Sequence, residues 1–152
     1  MGTYGRDEIE AMVAKYKRVA LQCGLSGDWT EWANCFTEDA TYIDHCMGTY
    51  GGRRAILTWI TKVMSRMPVQ EMRYYPWEWY LIDEEQGWVV AKIQNRMTDP
   101  GDGSLHEEYN FSLFKYAGDG MWSYEEDIYN PERMISMMAR WEARRDELAA
   151  RR

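Results

Sequence analysis

Three groups of side chains in this 152-residue chain could do acid/base chemistry. The first is Asp44, in the stretch Phe36-Thr-Glu-Asp-Ala-Thr-Tyr-Ile-Asp-His-Cys46. Its neighbours are apolar or aromatic, an expensive setting for a charge. Burial disfavours an ionised carboxylate, so such an acid can be tuned toward proton transfer. A competing reading makes Asp44 the end of a strand and the cap of the next turn. The second group is Glu125-Glu126-Asp127. Strand side chains alternate faces, so Glu125, Asp127 and Tyr129 would share one face. Crowding two carboxyls in a dry cavity raises the pKa of one, and acids with separated values can serve as acid and base. A plain surface cluster is the alternative. The third group is the row His106, Glu108, Asn110 and Ser112, continued by Phe114. His106 is a candidate general acid/base because imidazole titrates near neutrality. It could equally be an exposed histidine beside a turn. If the polar row faces inward, Leu105, Tyr109, Phe111 and Leu113 face outward; the reverse assignment would leave the polar row solvated.

These groups need elements to hold them. Asp7-x-x-Glu10 has the form of a capping box. Ile9, Met12, Val13, Tyr16, Val19, Ala20 and Cys23 then follow helical spacing up to Gly24. Asp28-x-x-Glu31 opens a short helix with Trp29, Trp32, Ala33 and Phe36 on one side. Ala40 to Cys46 reads as a strand. Gly51-Gly52 precedes a helix with Ile56, Trp59, Ile60, Val63 and Met67, stopped by Pro68. The second half changes period. Trp77–Asp83, Trp88–Met97, Leu105–Tyr116 and Met121–Ile128 read as four strands in antiparallel succession. Ala117-Gly-Asp-Gly120 supplies a hairpin turn. Asn130-Pro131 is an N-cap followed by proline at the first helical position. The last helix, 131–150, carries Met134, Ile135, Met138 and Trp141, then becomes charged. Helices followed by a meander define an α+β layer. A strongly curved, mostly antiparallel sheet wrapped against the first helix gives a cone-shaped barrel, one domain over 1–152 with its core in about 7–130.

Composition narrows the function. Eight Trp and eleven Tyr against three Phe favour cavity walls and interfaces, since both combine an apolar body with a polar tip. Eleven Met suit an adaptable pocket. A net charge of −7 argues against nucleic acid, and Lys and Arg never run beyond pairs such as Arg144-Arg145 and Arg151-Arg152. No apolar run reaches membrane-spanning length. The N-terminus lacks the apolar segment of a signal peptide, and three Cys without C-x-x-C spacing suggest neither a disulfide framework nor a zinc site. A cytoplasmic location is expected. Two His without ligand spacing point to no metal, and the absence of a P-loop, G-x-S-x-G or dinucleotide fingerprint points to no cofactor.

The element order and three segments resemble the nuclear transport factor 2-like superfamily, nearest to its SnoaL-like and ketosteroid isomerase-like branch. The segments are Gly27-Asp28-Trp29 with Cys35-Phe36-Thr-Glu-Asp-Ala40, Gly48 to Ile56, and Phe114-Lys-Tyr-Ala-Gly-Asp-Gly-Met-Trp122 leading to Glu125-Glu126-Asp127. The resemblance places Asp44 where the isomerases hold their proton-moving aspartate, with His45 in place of the proline that follows. Their oxyanion tyrosine falls near Ala20, one turn from Tyr16, and their second oxyanion donor near Ser112. Those departures argue against a 3-ketosteroid isomerase. Asp127 falls where epoxide hydrolases and SnoaL-like cyclases place an acid. The hydrolases' Arg-x-Asp is reduced here to Arg96, in Gln94-Asn-Arg-Met-Thr98.

The resulting expectation is a small cofactor-independent enzyme acting on an apolar, ring-containing molecule, steroid- or polyketide-like. Isomerisation, cyclisation or dehydration would proceed by proton transfer. Asp44 would be the base, with Asp127 and His106 relaying or donating a proton. Tyr16, Tyr42, Trp59, Asn110, Ser112, Glu125 and Tyr129 would contact the substrate. The alternative is a non-catalytic ligand-binding or dimeric interaction module. A homodimer is expected to pack through the outer sheet face.

Overall fold

The computed structural model describes residues 2–151, so Met1 and Arg152 lie outside the description. Four α-helices and seven strands form one curled sheet with helices on its concave side. Helix α1 (Arg6–Ser26) buries Ile9, Met12, Val13, Tyr16, Val19, Ala20 and Cys23, the stripe expected from spacing. It starts after Gly5 without a side-chain cap, so Asp7-x-x-Glu10 is not a capping box. Gly24 does not end it. The helix continues to Ser26 and stops at Gly27, whose φ of 79° is the left-handed C-cap conformation. Gly24 has a different reason to be glycine: a Cβ there would come within 2.3 Å of the Arg73 carbonyl oxygen, where α1 meets the sheet.

Helix α2 (Thr30–Ala33) is shorter than its sequence pattern suggests, and Phe36 instead opens strand β1 (Phe36–Asp44). Two strands too short for a periodic signal were not expected: β2 (Gly48–Gly51) and β3 (Met72–Tyr74). Between them lies α3 (Arg53–Met64), which ends before Met67. The long strands fall where the second-half pattern puts them: β4 (Trp77–Asp83), β5 (Trp88–Met97), β6 (Glu107–Gly118) and β7 (Met121–Ile128). The order is β2-β1-β7-β6-β5-β3, with β4 also on β5. One pairing breaks the antiparallel pattern: β1 lies parallel to β7, with Asp44 opposite Asp127. Register shifts within four strand pairs bend and twist the sheet into the α+β cone.

The shift in β6–β7 decides which side chains face in. Lys115 pairs with Tyr124 but Tyr116 pairs with Trp122, leaving Ser123 as an extra residue. Inward parity therefore switches. Trp122 is buried in the core, and beyond the bulge Glu125 is buried as well. On β6 the inward row is Glu108, Asn110, Ser112, Phe114 and Tyr116, polar toward the wide end and aromatic toward the apex. The polar row is thus the concave one.

Helix α4 (Pro131–Ala150) crosses the wide end. The Asn130 side chain accepts from the N–H groups of Glu132 and Arg133, an N-cap as expected. Its buried stripe is Met134, Met137 and Trp141 against Met72 and Met97. Ile135, expected within the stripe, is 63% exposed because it lies one position off the i, i+3, i+7 face. The Trp141 indole N–H donates to the Thr98 carbonyl at 2.7 Å, tying α4 to the end of β5. Among the described residues no helix is long and apolar enough to cross a membrane.

The convex face carries Trp79, Leu81, Val90 and Phe111, all exposed. We expect a homodimer packed through this surface, since a single-chain apolar face of this kind is a liability. Sedimentation should give the dimer mass, and a monomer at micromolar concentration would contradict it. Beyond Trp141 the tail makes mainly exposed ion pairs, of which the best, Arg144 with Asp102, is worth little. Truncation after Trp141 should leave the urea unfolding midpoint nearly unchanged, whereas Trp141→Ala should cost about 3–5 kcal/mol.

Candidate active site

The cone encloses a cavity of about 260 Å³ that opens beside α4. Tyr16, Tyr42, Asp44, Trp59, Asn110, Ser112, Glu125, Asp127 and Tyr129 all line it. Nine of the ten residues singled out in the sequence therefore converge, from α1, α3, β1, β6, β7 and the segment after β7. His106 does not. It precedes β6, bonds the Ser104 hydroxyl at 3.0 Å, and sits against Arg140 and Arg144 of α4. The polar row passes beneath the start of α4, where Arg133 pairs with Glu108 at 3.2 Å, and His106 emerges beyond the cavity. An acid/base role in this cavity is closed to it.

A connected polar network runs along the cavity wall. The Trp32 indole N–H donates to the Tyr16 hydroxyl at 2.9 Å, and Tyr16 donates to Glu125 Oε2 at 2.7 Å. The Tyr42 hydroxyl lies 3.3 Å from Glu125 Oε1 and makes a much shorter bond to Asp127 Oδ2. Asp127 Oδ1 accepts from the Ser112 hydroxyl at 2.5 Å. Ser112 in turn accepts from the Asn110 amide at 2.7 Å, and Asn110 from the Asn95 amide at 2.8 Å.

Proton counting assigns the charges. Tyr42 has one hydroxyl proton and two carboxyl neighbours. Given to Asp127, that proton joins the one from Ser112, so Asp127 accepts from two hydroxyls and is stabilised as the anion. The Tyr42 oxygen can then accept a proton held by Glu125. Glu125 is only 3% exposed. Burial and the neighbouring Asp127 hold its pKa well above the usual carboxylate range. Burial also pushes Asp127 up, opposed by its bonds from Ser112 and Tyr42, to about 6. The two acids bridged by Tyr42 are thus driven apart, with Glu125 the one that holds its proton and Asp127 the one that ionises first. Burial and the acids drive the Tyr16 and Tyr42 phenols well up, so both remain neutral donors.

Asp44 lies at the cavity rim, 8% exposed. Its Oδ1 accepts from the backbone N–H of Cys46 at 2.9 Å and of Met47 at 2.8 Å, and from the Tyr129 hydroxyl at 2.9 Å. This is the strand-end cap, and it coexists with a place in the cavity wall. Across the pleat His45 points outward to Glu126 at 2.5 Å. Arg96 also points away from the cavity, bonded to Glu107 at 2.7 Å. Two network members were not singled out in the sequence. Asn95 continues the inward row Val89, Ala91, Ile93, so a polar residue in an apolar alternation was the available signal. Trp32 sat on the apolar side of α2 without any sign that its N–H would reach Tyr16. No cluster of three or more potential metal-ligating side chains occurs among the described residues.

Comparison with known proteins agrees with this architecture. The SnoaL-like domain family matches residues 9–124, and the chain belongs to that family. No curated protein matches it in sequence. Among solved structures it is similar to a Bacillus subtilis protein provisionally called an isomerase, at 14% identity and TM-score 0.67, covering 88% of this chain and 94% of that one. It is similar to SalBIII, an epoxide hydrolase/cyclase-like enzyme of pyran ring formation in the polyether salinomycin (16% identity, TM-score 0.64, covering 84% and 94%). A Xanthomonas campestris protein provisionally called a polyketide cyclase is also similar, at 18% identity and TM-score 0.62, covering 88% and 98%. At such identities the likeness defines the shared ketosteroid isomerase-like cone and not the chemistry.

The proton assignment has a direct consequence. Glu125→Gln should leave stability at neutral pH within about 1 kcal/mol, because an amide mimics the protonated acid as acceptor and donor. Glu125→Leu should cost more, by leaving the buried Tyr16 hydroxyl without its acceptor. Urea unfolding at pH 7 separates the two, and a Gln variant as damaged as the Leu variant would refute a neutral Glu125. Because the folded Asp127 value exceeds its unfolded one, the acid favours folding below the unfolded value. That contribution should fade as pH rises through about 6.

Proposed function

We propose that this protein is a small acid/base enzyme of the isomerase, cyclase or dehydratase type, working without a cofactor on an apolar, ring-containing molecule. The observation that carries this reading is the bridged pair: one ionised and one protonated carboxyl on the wall of an aromatic cavity. Paired carboxyls with separated pKa values supply a base and an acid at neutral pH. Asp127 is the base. Its value of about 6 gives a basic, mostly ionised carboxylate near neutrality. Glu125 already carries a proton, so the proton taken up at Asp127 is returned to the substrate from Asp127 itself, while Tyr42 and the neutral Glu125 hold that carboxyl in place. Asn110 keeps one amide hydrogen beyond its bond to Ser112, and with it orients a substrate oxygen; Ser112 and Asn95 hold Asn110 in place. The cyclase-like relatives support a reaction of this class.

This reading moves the base from Asp44 to Asp127. Asp44 is tied by the Cys46 and Met47 N–H groups to the turn after β1, a cap that suits shaping the rim, whereas Asp127 is the acid bridged to Glu125. The cavity lies just below the ~300–1,000 Å³ typical of small-molecule sites, so the ligand is compact. Non-catalytic binding of such a ligand is the second reading, favoured by the incomplete match to the isomerase and hydrolase residue sets.

Activity is sought by screening ring ketones, enones and epoxides against the pure protein. With a substrate in hand, Asp127→Asn should lower kcat by about two to four powers of ten, the usual contribution of general-base catalysis. Asp44→Asn should affect KM more than kcat. An Asp127→Asn variant with unchanged kcat would remove the base assignment. A compound that binds in the cavity without turnover would favour the binding module.

A further inference from the structure

The charge balance of the cavity points to the kind of ligand it takes. Three carboxyl groups line it, Asp44, Glu125 and Asp127, and no Lys, Arg or His is among the lining residues. Basic side chains of the sheet and of the segments beside it are engaged elsewhere. Lys92 pairs with Glu78 at 2.9 Å, Arg96 with Glu107 at 2.7 Å, His45 with Glu126 at 2.5 Å and Arg133 with Glu108 at 3.2 Å. With Glu125 protonated, the wall still holds two carboxylates, and β1–β7 register sets them side by side. Charges this sheltered are normally paired. Asp44 is placed to meet such a ligand: all its hydrogen bonds fall on Oδ1, which leaves Oδ2 free to accept from a group in the cavity. The rest of the wall is aromatic, with Trp29, Trp32, Tyr42, Trp59, Tyr75 and Trp77 around the space. Aromatic faces attract cations, most strongly where water is excluded.

We propose that the cavity binds a molecule whose positively charged nitrogen, a protonated amine or a quaternary ammonium, sits beside Asp44 and Asp127 with its apolar part along the aromatic wall. The inference deepens the proposed function and rests on this cavity being the substrate site. It assigns Asp44 the task of holding charge, leaving Asp127 for the proton. The groups facing Asp127 are Tyr16 from α1, Tyr42 and Asp44 from β1, and Glu125 and Tyr129 from β7 and the segment after it. The three tyrosines are held neutral by burial, so Asp127 is the group whose ionisation changes the cavity's charge near pH 6.

The test uses the full chain and two probes of equal shape, phenyltrimethylammonium and neutral tert-butylbenzene, followed by NMR of the indole N–H resonances. The cation should bind at least about tenfold more tightly at pH 7.5, the scale of a desolvated cation–π contact with a carboxylate beside it. That preference should shrink severalfold at pH 5 and in Asp44→Asn. Equal or tighter binding of tert-butylbenzene would overturn the cation inference while leaving an apolar substrate site intact. No binding of either probe would overturn it too. Cation binding together with unchanged kcat in Asp127→Asn would instead keep this inference and remove the catalytic one.

Discussion

One hydroxyl between two carboxyls organises the site. Tyr42 can give its proton to Glu125 or to Asp127, not to both. In a low-dielectric wall two adjacent carboxylates repel strongly, so one acid keeps its own proton. The deeper one, Glu125, does so, and its neutrality is what allows a carboxyl to stand in the core at all. Tyr16 and Trp32 then have a defined acceptor chain, and Ser112 completes the acceptance at Asp127. The α1 helix is fixed to β7 through this network as well as through its apolar stripe. A functional pair and a structural cross-tie are here the same bonds.

The sheet supplies the geometry. Parallel pairing of β1 and β7 puts Tyr42 beside Glu125 and Asp44 beside Asp127. The bulge at Ser123 turns the residues beyond it inward without giving up Trp122 as a core residue. Curling then brings the β6 polar row opposite α1, while the methionines of α4 and β3 close the wide end. Met suits that place because its flexible side chain fits an uneven boundary.

Much of this was legible in the chain. Period-two alternation gave the shared face of Asn110, Ser112 and Phe114 and the joint facing of Glu125, Asp127 and Tyr129, but not which side of the sheet faced in. Helical spacing gave Tyr16 and Trp59. What escaped has physical reasons. His106 lies one residue outside β6, where alternation no longer governs direction. The parallel β1–β7 contact joins segments some 80 residues apart, and no local pattern reports such a pairing. Strands of three or four residues, β2 and β3, have too few positions to show a period. The role of Asp44 turned on two backbone N–H groups in the following turn, and Ile135 differs from its buried neighbours by one step of helical rotation. Burial of Glu125 was foreseeable as crowding, but which acid keeps the proton depends on distances to a single tyrosine oxygen.

The split protonation of Glu125 and Asp127 can be read without a substrate. Carbon-13 NMR of the side-chain carboxyls, titrated from pH 4 to 9 with assignments from Glu125→Gln and Asp127→Asn, reports each acid separately. The Glu125 carbon should keep the shift of a protonated acid at pH 7 while the Asp127 carbon titrates near pH 6. Both carbons at carboxylate shifts by pH 5, each titrating in the ordinary range, would contradict it.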